Sequence, residues 1–309
     1  MNSLPIEHIA PTPKKSNKIW IIVVVLLILC CLCLVFVGIA GYLFSQNTNS
    51  GILPAAKMPG PDVTDQISVA APEGDAHLTL SFGGGKLTLA AGTTKLLEGT
   101  ATYNIPELKP VIKTGAGNTS ISMGDYKTNG VAAFNQIKNE WNLKLGAAPM
   151  DLTINAGAYE GAFDFGGLAL TNLTINDGGA QTTLDFSSTN HEKLGVLSYK
   201  TGASTVTLNN LGNSNFDTMI FEGGGGKYKL DFGGTFQRAG SVSIKLGVSS
   251  LEVVIPSEIA VTVKVSGGMS NVQVPSGWKK NGEMYTQEGS GPALTIVIEI
   301  GAGSVQITQ

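Results

Sequence analysis

The chain holds three cysteines, and all of them, Cys30, Cys31 and Cys33, fall inside one uncharged run near the N-terminus. There a thiol behaves as a small apolar side chain. Everything after that run therefore lacks a disulfide and any thiolate nucleophile or ligand, and its fold must be held by burial and backbone pairing. Arginine is scarcer still, with Arg238 the only one. Bidentate clamps on phosphate lean on arginine, which argues against nucleic acid and other polyanions as partners. The three histidines, His8, His77 and His191, stand far apart, none with a second histidine or cysteine at ligand spacing. Neither a transition-metal site nor a cofactor is expected. Charged residues make up 14% of the chain, against about 25% in an average soluble protein.

What is abundant is glycine, 40 of 309 residues, and one long apolar run. Ile19 to Phe44 carries no charge, and a helix of that length extends about 39 Å against a hydrocarbon core of about 30 Å. Trp20 and Tyr42 sit near its two ends, where amphipathic rings favour the membrane interface, and Lys14, Lys15 and Lys18 precede it. The positive-inside bias then keeps residues 1–18 in the cytoplasm and places everything after the span outside. A cleaved signal peptide is the competing reading, with Gly38-Ile39-Ala40 as a cut. The apolar run before it exceeds the usual signal core of about 7 to 15 residues, which favours an uncleaved single-pass anchor in the cell membrane.

Residues 45–75, rich in Ser, Asn, Pro and Ala, read as a linker, with order resuming near Leu78. From there, apolar residues alternate with threonine, as in Leu78-Thr79-Leu80, Leu152-Thr153-Ile154 and Val261-Thr262-Val263, the mark of half-buried strands. With Φ for an apolar residue, GxxxΦxΦ begins at Gly83, Gly117, Gly202, Gly226, Gly247, Gly268 and Gly301. Identities also return at a fixed interval. "GVSSLEV" at Gly247 is echoed by "GMSNVQV" at Gly268, and "LTIN" at Leu152 by "LTIN" at Leu173, each 21 residues on. This spacing predicts coils of about 21 residues, each of two short strands and two turns, about 11 coils in all, burying their apolar side chains by stacking. The predicted fold is an all-β solenoid over residues 76–309, behind one N-terminal transmembrane helix at 19–44. Strands every 8 to 12 residues also fit a tandem β-sandwich. Asn155 and Asn176, at equivalent positions, are expected either to stack as an amide ladder or to serve their turns.

Two sets of residues stand out as candidate sites. Trp278, Lys279, Lys280 and Tyr285 lie in a polar excursion, Pro275 to Pro292, which would form either a contact surface or a cap over the stack's open end. Asp164, Asp185 and Asp231 recur in "DF" units and would line up as an acidic row. Such a row could hold calcium or carry paired carboxylates, although a solvated strand face is the commoner reason for it. No nucleophile, base and oxyanion constellation is visible, so an enzyme is not expected.

The run from Asn139 to Asn176, with its Asn139-Glu140-Trp141 triplet, and the closing series "GVSSLEVVIP", "GMSNVQVPSGW" and "GAGSVQI" resemble the bacterial toast-rack family. That family includes LiaF-like cell-envelope stress proteins and adhesin-like domains. The resemblance implies a β-helix-like stack outside the membrane, serving as a scaffold, an adhesin-like module for envelope proteins or glycans, or an envelope-stress sensor. LiaF-like proteins carry several membrane helices, and this chain has one. A carbohydrate-active β-helix enzyme using the acidic row is the reading from a different class.

Overall fold

The computed structural model describes residues 59–124 and 136–309. The expected tail (1–18), the expected span (19–44) with Trp20, Tyr42, Lys14, Lys15 and Lys18, and linker residues up to 58 lie outside them. Among the described residues no helix is long and apolar enough to cross a membrane.

The described chain is all-β. Its strands are β1 (Val63–Val69), β2 (Ala76–Thr93), β3 (Leu97–Tyr103), β4 (Val111–Gly115), β5 (Asn118–Ser122), β6 (Asn139–Gly146), β7 (Met150–Asp164), β8 (Leu170–Asp185), β9 (Leu194–Asn209), β10 (Phe216–Asp231), β11 (Gly240–Val254), β12 (Val261–Gln273), β13 (Lys279–Asn281), β14 (Met284–Gln287) and β15 (Leu294–Thr308). All belong to one sheet, whose main path runs β1-β3-β6-β2-β7-β8-β9-β10-β11-β15-β12-β14-β13. Strand β1 lies inside the stretch read as linker. It is held there by antiparallel pairing with β3 and by burial of Ile67 and Val69, so order begins earlier than Leu78.

The body is the series β2, β7, β8, β9, β10, β11, β15 and β12, each parallel to its neighbours. Hairpin-joined sandwiches would alternate in direction instead. The pairing is in register, so like residues form columns. One runs Leu78, Leu152, Leu173, Leu197, Met219, Val242, Ile296, Val263, and every member is buried. Another, near the far end of the strands, begins at Leu89 and runs Phe163, Leu184, Leu208, Leu230, Val253, Ile307. Stacking buries these side chains between successive strands, where one strand alone would leave them wet. Full burial of each side chain is worth about 1.5 to 3 kcal/mol.

Each repeat differs from the expected pair of short strands. It is one continuous strand of 13 to 18 residues, with a glycine near its middle. Those glycines form a column of their own, Gly83, Gly157, Gly178, Gly202, Gly224, Gly247, Gly301 and Gly268, one per strand. Five of them open the GxxxΦxΦ motif, which there marks the middle of a strand, whereas Gly117 lies as expected in the turn before β5. At Gly157, Gly202, Gly224 and Gly247 glycine is required by close backbone approach. A Cβ on Gly157 would lie 2.1 Å from the Gly83 carbonyl oxygen, and one on Gly247 would lie 2.3 Å from that of Gly224.

The interval between paired positions also departs from a fixed 21. It is 21 from Leu152 to Leu173, 24 from Leu173 to Leu197, 22 from Leu197 to Met219 and 23 from Met219 to Val242. Strands β11 and β12, source of the Gly247 and Gly268 repeat, are not neighbours at all, because β15 lies between them. Eight long strands take the place of the expected 11 coils.

At the N-terminal end, β2 is covered in two pieces: β5 pairs its first half and β6 its second, both parallel. The Asn139-Glu140-Trp141 triplet opens β6. Asn139 donates to the Gly84 carbonyl at 2.8 Å, and Trp141 meets Phe82 edge-on at 5.1 Å.

Candidate functional site

Along the glycine column the surface opens into two clefts. The first, of about 610 Å³, is lined by Ser81, Phe82, Gly83, Met123, Gly124, Asn155, Ala156, Gly157, Asn176 and Asp177. The second, of about 680 Å³, includes Gly224, Lys245, Gly247, Ser266, Glu299 and Gly301. The clefts exist because glycines leave the strand middles without side chains while the residue two positions earlier points outward. That outward row reads Ser81, Asn155, Asn176, Lys200, Glu222, Lys245, Glu299, Ser266 in register. The Asn176 amide donates to Asn155 Oδ1 at 3.0 Å, so the two asparagines do stack as a ladder. Beyond them, ion pairs continue it: Lys200 to Glu222 at 3.2 Å and Lys245 to Glu299 at 3.7 Å.

A polar network backs the first cleft. In register, Phe82, Ala156, Asp177 and Thr201 form one column, in which Asp177 interrupts the apolar run. Its Oδ2 accepts from the Tyr199 hydroxyl at 2.8 Å and the Tyr159 hydroxyl at 3.3 Å, and its Oδ1 from the Thr201 hydroxyl. Thr182 donates to Tyr159 at 3.3 Å, and the Ser204 hydroxyl accepts from the Ala180 backbone at 2.9 Å. Burial pushes the Tyr159 and Tyr199 hydroxyls well above tyrosine's ordinary range, and the Asp177 charge acts in the same direction. Both phenols therefore stay protonated and hold the carboxylate as donors. This cleft is not legible as a motif. The one signal for it is the break in phase, an aspartate where the two preceding strands of the column carry Phe82 and Ala156.

The three aspartates of the expected acidic row fall near one register position, with Asn209 between the second and third. Asp164 pairs in register with Asp185, which pairs with Asn209, and Asp231 follows one strand on. The row's carboxylates are engaged by their own turn or by the turn after the neighbouring strand. Asp164 accepts from the Gly166 backbone at 2.9 Å and from the Ser187 hydroxyl at 2.7 Å. Asp185 accepts from Asn210 at 2.7 Å and Asp231 from the Gly233 backbone at 2.7 Å. Among the described residues no group of three or more His, Cys, Asp or Glu could hold a metal ion.

The excursion carrying Trp278, Lys279, Lys280 and Tyr285 folds into the β13–β14 hairpin, and β14 covers the first half of β12. Tyr285 is buried, with the Lys280 ammonium 5.2 Å from its ring centre. Lys279 pairs with Glu288 in solvent, while half-buried Trp278 packs on the core. These four residues and Glu288 border a shallow cleft or the core edge, and none joins the acidic row or the glycine clefts.

Fold and clefts together define an all-β protein of in-register parallel strands with polar grooves along a glycine seam. Residues 59–197 match the family model for the N-terminal domain of toast_rack, DUF2154. The toast-rack resemblance read from the sequence is thus shown over that segment. Among solved structures, a proposed cell adhesion protein from Clostridium sporogenes is 23% identical, with a TM-score of 0.48, covering 81% of this chain and 100% of its own. A proposed adhesin from Bacteroides fragilis is 12% identical, with a TM-score of 0.33, covering 83% and 100%. A third, from Parabacteroides merdae, is 13% identical, with a TM-score of 0.37, covering 82% and 98%. At these scores none carries an argument about what the present chain binds. No curated protein matches it.

Proposed function

We propose that the chain is a single-pass membrane-anchored β-solenoid, facing outward, that acts as a non-enzymatic scaffold or adhesin-like binding module for proteins or glycans of the cell envelope. The observation that carries the reading is the in-register stack, which repeats the same outward polar positions strand after strand beside two open clefts. Repetition of this kind suits an extended partner better than a reaction centre. The uncharged run at 19–44 with its preceding lysines supplies the anchor in this reading. The acidic row supports it too, since its carboxylates tie down turns.

Topology is tested by replacing Cys30, Cys31 and Cys33 with serine, adding Ser250→Cys on the exposed face, and treating intact cells with a membrane-impermeant maleimide. Labelling is expected, and a site labelled only after lysis would defeat the outward assignment. Binding is tested by co-sedimentation of the full-length chain with purified envelope polysaccharide and, separately, with envelope proteins. Retention by neither, or a glycan-cleaving activity abolished by the combined D164N, D185N and D231N substitutions in a folded protein, would defeat the scaffold reading.

A further inference from the structure

The first cleft contains a carboxylate that the fold supplies with hydroxyl partners alone. Asp177 accepts from Tyr159, Tyr199 and Thr201, and none of the ion pairs among the described residues includes it. An ionised carboxylate offers about four lone-pair positions, so about one remains open on Oδ1. Beside it, the Asn176–Asn155 bond leaves the Asn155 NH2 and the Asn176 Oδ1 unused within the ladder, and Ser81 adds a hydroxyl one strand further. The apolar part of the lining is Phe82, Met123 and Ala156 around Gly83 and Gly157, with the Met123 methyl lying against Gly83.

This set of groups excludes several ligand classes. A phosphate or sulfate would need cations, and among the described residues the cleft lining has no lysine, arginine or histidine. A strand-forming peptide would need a free backbone edge, but β7 and β8 are paired on both sides here, and the gap on β2 between its β5 and β6 pairings spans only Phe82–Gly85, with the Gly84 carbonyl taken by Asn139. What remains is a ligand presenting neighbouring donors and acceptors at steps of about 4.8 Å, beside an apolar C–H surface. Vicinal hydroxyls of a neutral sugar meet that description. The volume, about 610 Å³, lies within the range of about 300 to 1,000 Å³ usual for small-ligand sites.

We propose that this cleft is a subsite for a neutral, polyhydroxylated sugar unit of a glycan chain. Asp177 Oδ1 and Asn176 Oδ1 accept from its hydroxyls, the Asn155 amide donates, and Ser81 does either. The Tyr159 and Tyr199 hydroxyls hold the carboxylate in place and do not touch the ligand. The inference rests on the binding-module reading and names its ligand class.

The test is isothermal titration of the full-length chain with maltotetraose, cellotetraose and chitotetraose. At least one is expected to bind, and N176A and D177N are each expected to weaken it by about tenfold, the loss of about one hydrogen bond. K229A, on another part of the surface, is the control. Because D177N disturbs the tyrosine network, the exposed N155A serves as a third variant, with circular dichroism as the check on folding. Absence of binding by all three sugars up to about 10 mM, or binding unchanged in N155A and N176A, overturns the subsite. Co-sedimentation with envelope polysaccharide separates the two failures. If it persists in N155A and N176A, the subsite is wrong and the binding module stands. If the wild-type chain is retained by neither polysaccharide nor envelope protein, the module reading falls and the subsite with it.

Discussion

Val248 and Met269 share one register position and stand 21 residues apart, yet they do not pair with each other: both flank Ala302, one on each side. The repeat between their segments reflects two strands that serve the same neighbour. It follows that the glycine seam is continuous through all eight long strands, because Gly301 takes its place between Gly247 and Gly268.

The seam makes the first prediction. A Cβ on Gly247 would press on the Gly224 carbonyl at 2.3 Å, whereas one on Gly225 would reach the Val248 carbonyl at 3.5 Å, an ordinary contact. G247A is expected to cost about 1 to 3 kcal/mol or more, as overpacking against backbone does. G225A is expected to stay within about 0.5 kcal/mol. Urea denaturation midpoints of the two variants compare them directly, and equal midpoints would contradict the seam's role.

Asn190 makes the second. It is buried, its Oδ1 accepts from the Leu170 backbone at 2.8 Å, and its amide donates to the Leu170 and Glu192 carbonyls, each at 2.8 Å. The side chain thus stands in for a strand partner at the start of β8. N190A takes this partner from the Leu170 N–H and carbonyl, while the Glu192 carbonyl keeps its bond from Asn215 at 2.9 Å, and is expected to cost about 1 to 3 kcal/mol. Hydrogen exchange at the Leu170 amide should accelerate ahead of the rest of β8. An exchange rate that does not change would count against this assignment.

The third concerns alkaline pH. Burial, with help from the Asp65 carboxylate that accepts its hydrogen bond at 2.8 Å, pushes the Tyr103 hydroxyl up to about 12 from 10.0. Folding favours the protonated phenol, so its contribution is complete below pH 10 and is lost as pH rises toward 12. Buried Tyr159 and Tyr199 act in the same direction. Y103F should lower the proton-linked slope of unfolding free energy over that window by about one proton. A slope identical to wild type would show that Tyr103 ionises freely in the folded chain.

For the fourth, Asp164 ties its turn to the next strand through Gly166 and Ser187. D164A is expected to cost about 1.5 to 3 kcal/mol, the range for hydrogen bonds to a charged acceptor, and D164N less, because an amide oxygen still accepts. Thermal melts of the two variants should rank in that order. The reverse ranking would mean that charge repulsion along the row outweighs the hydrogen bonds.

Strand content and inward faces were legible because alternation at "LTIN" fixes which side chains point in, and Leu152 and Leu173 do pair in register. Order within the sheet was not. The inward apolar pattern of β15 fits beside β11 or β12 equally well, so nothing in their residues announces that β15 separates them. The half-strand unit fails because a mid-strand glycine and a corner glycine look alike in sequence, and here the glycine permits close packing inside one strand. The cleft at Asp177 escapes for another reason. "NDGG" reads locally as a turn, and the tyrosines and threonine that hold the aspartate come from β7 and β9.

The position of β15 has a consequence for how the chain assembles. Val261 on β12 pairs with Leu294, 33 residues later, and β15 must also dock on β11. During synthesis β12 emerges before the strand it leans on, so its edge waits uncovered until the C-terminal segment slides into place. Strand β15 is the bolt that holds β12 in the sheet, and β12 docks only after β15 has been made.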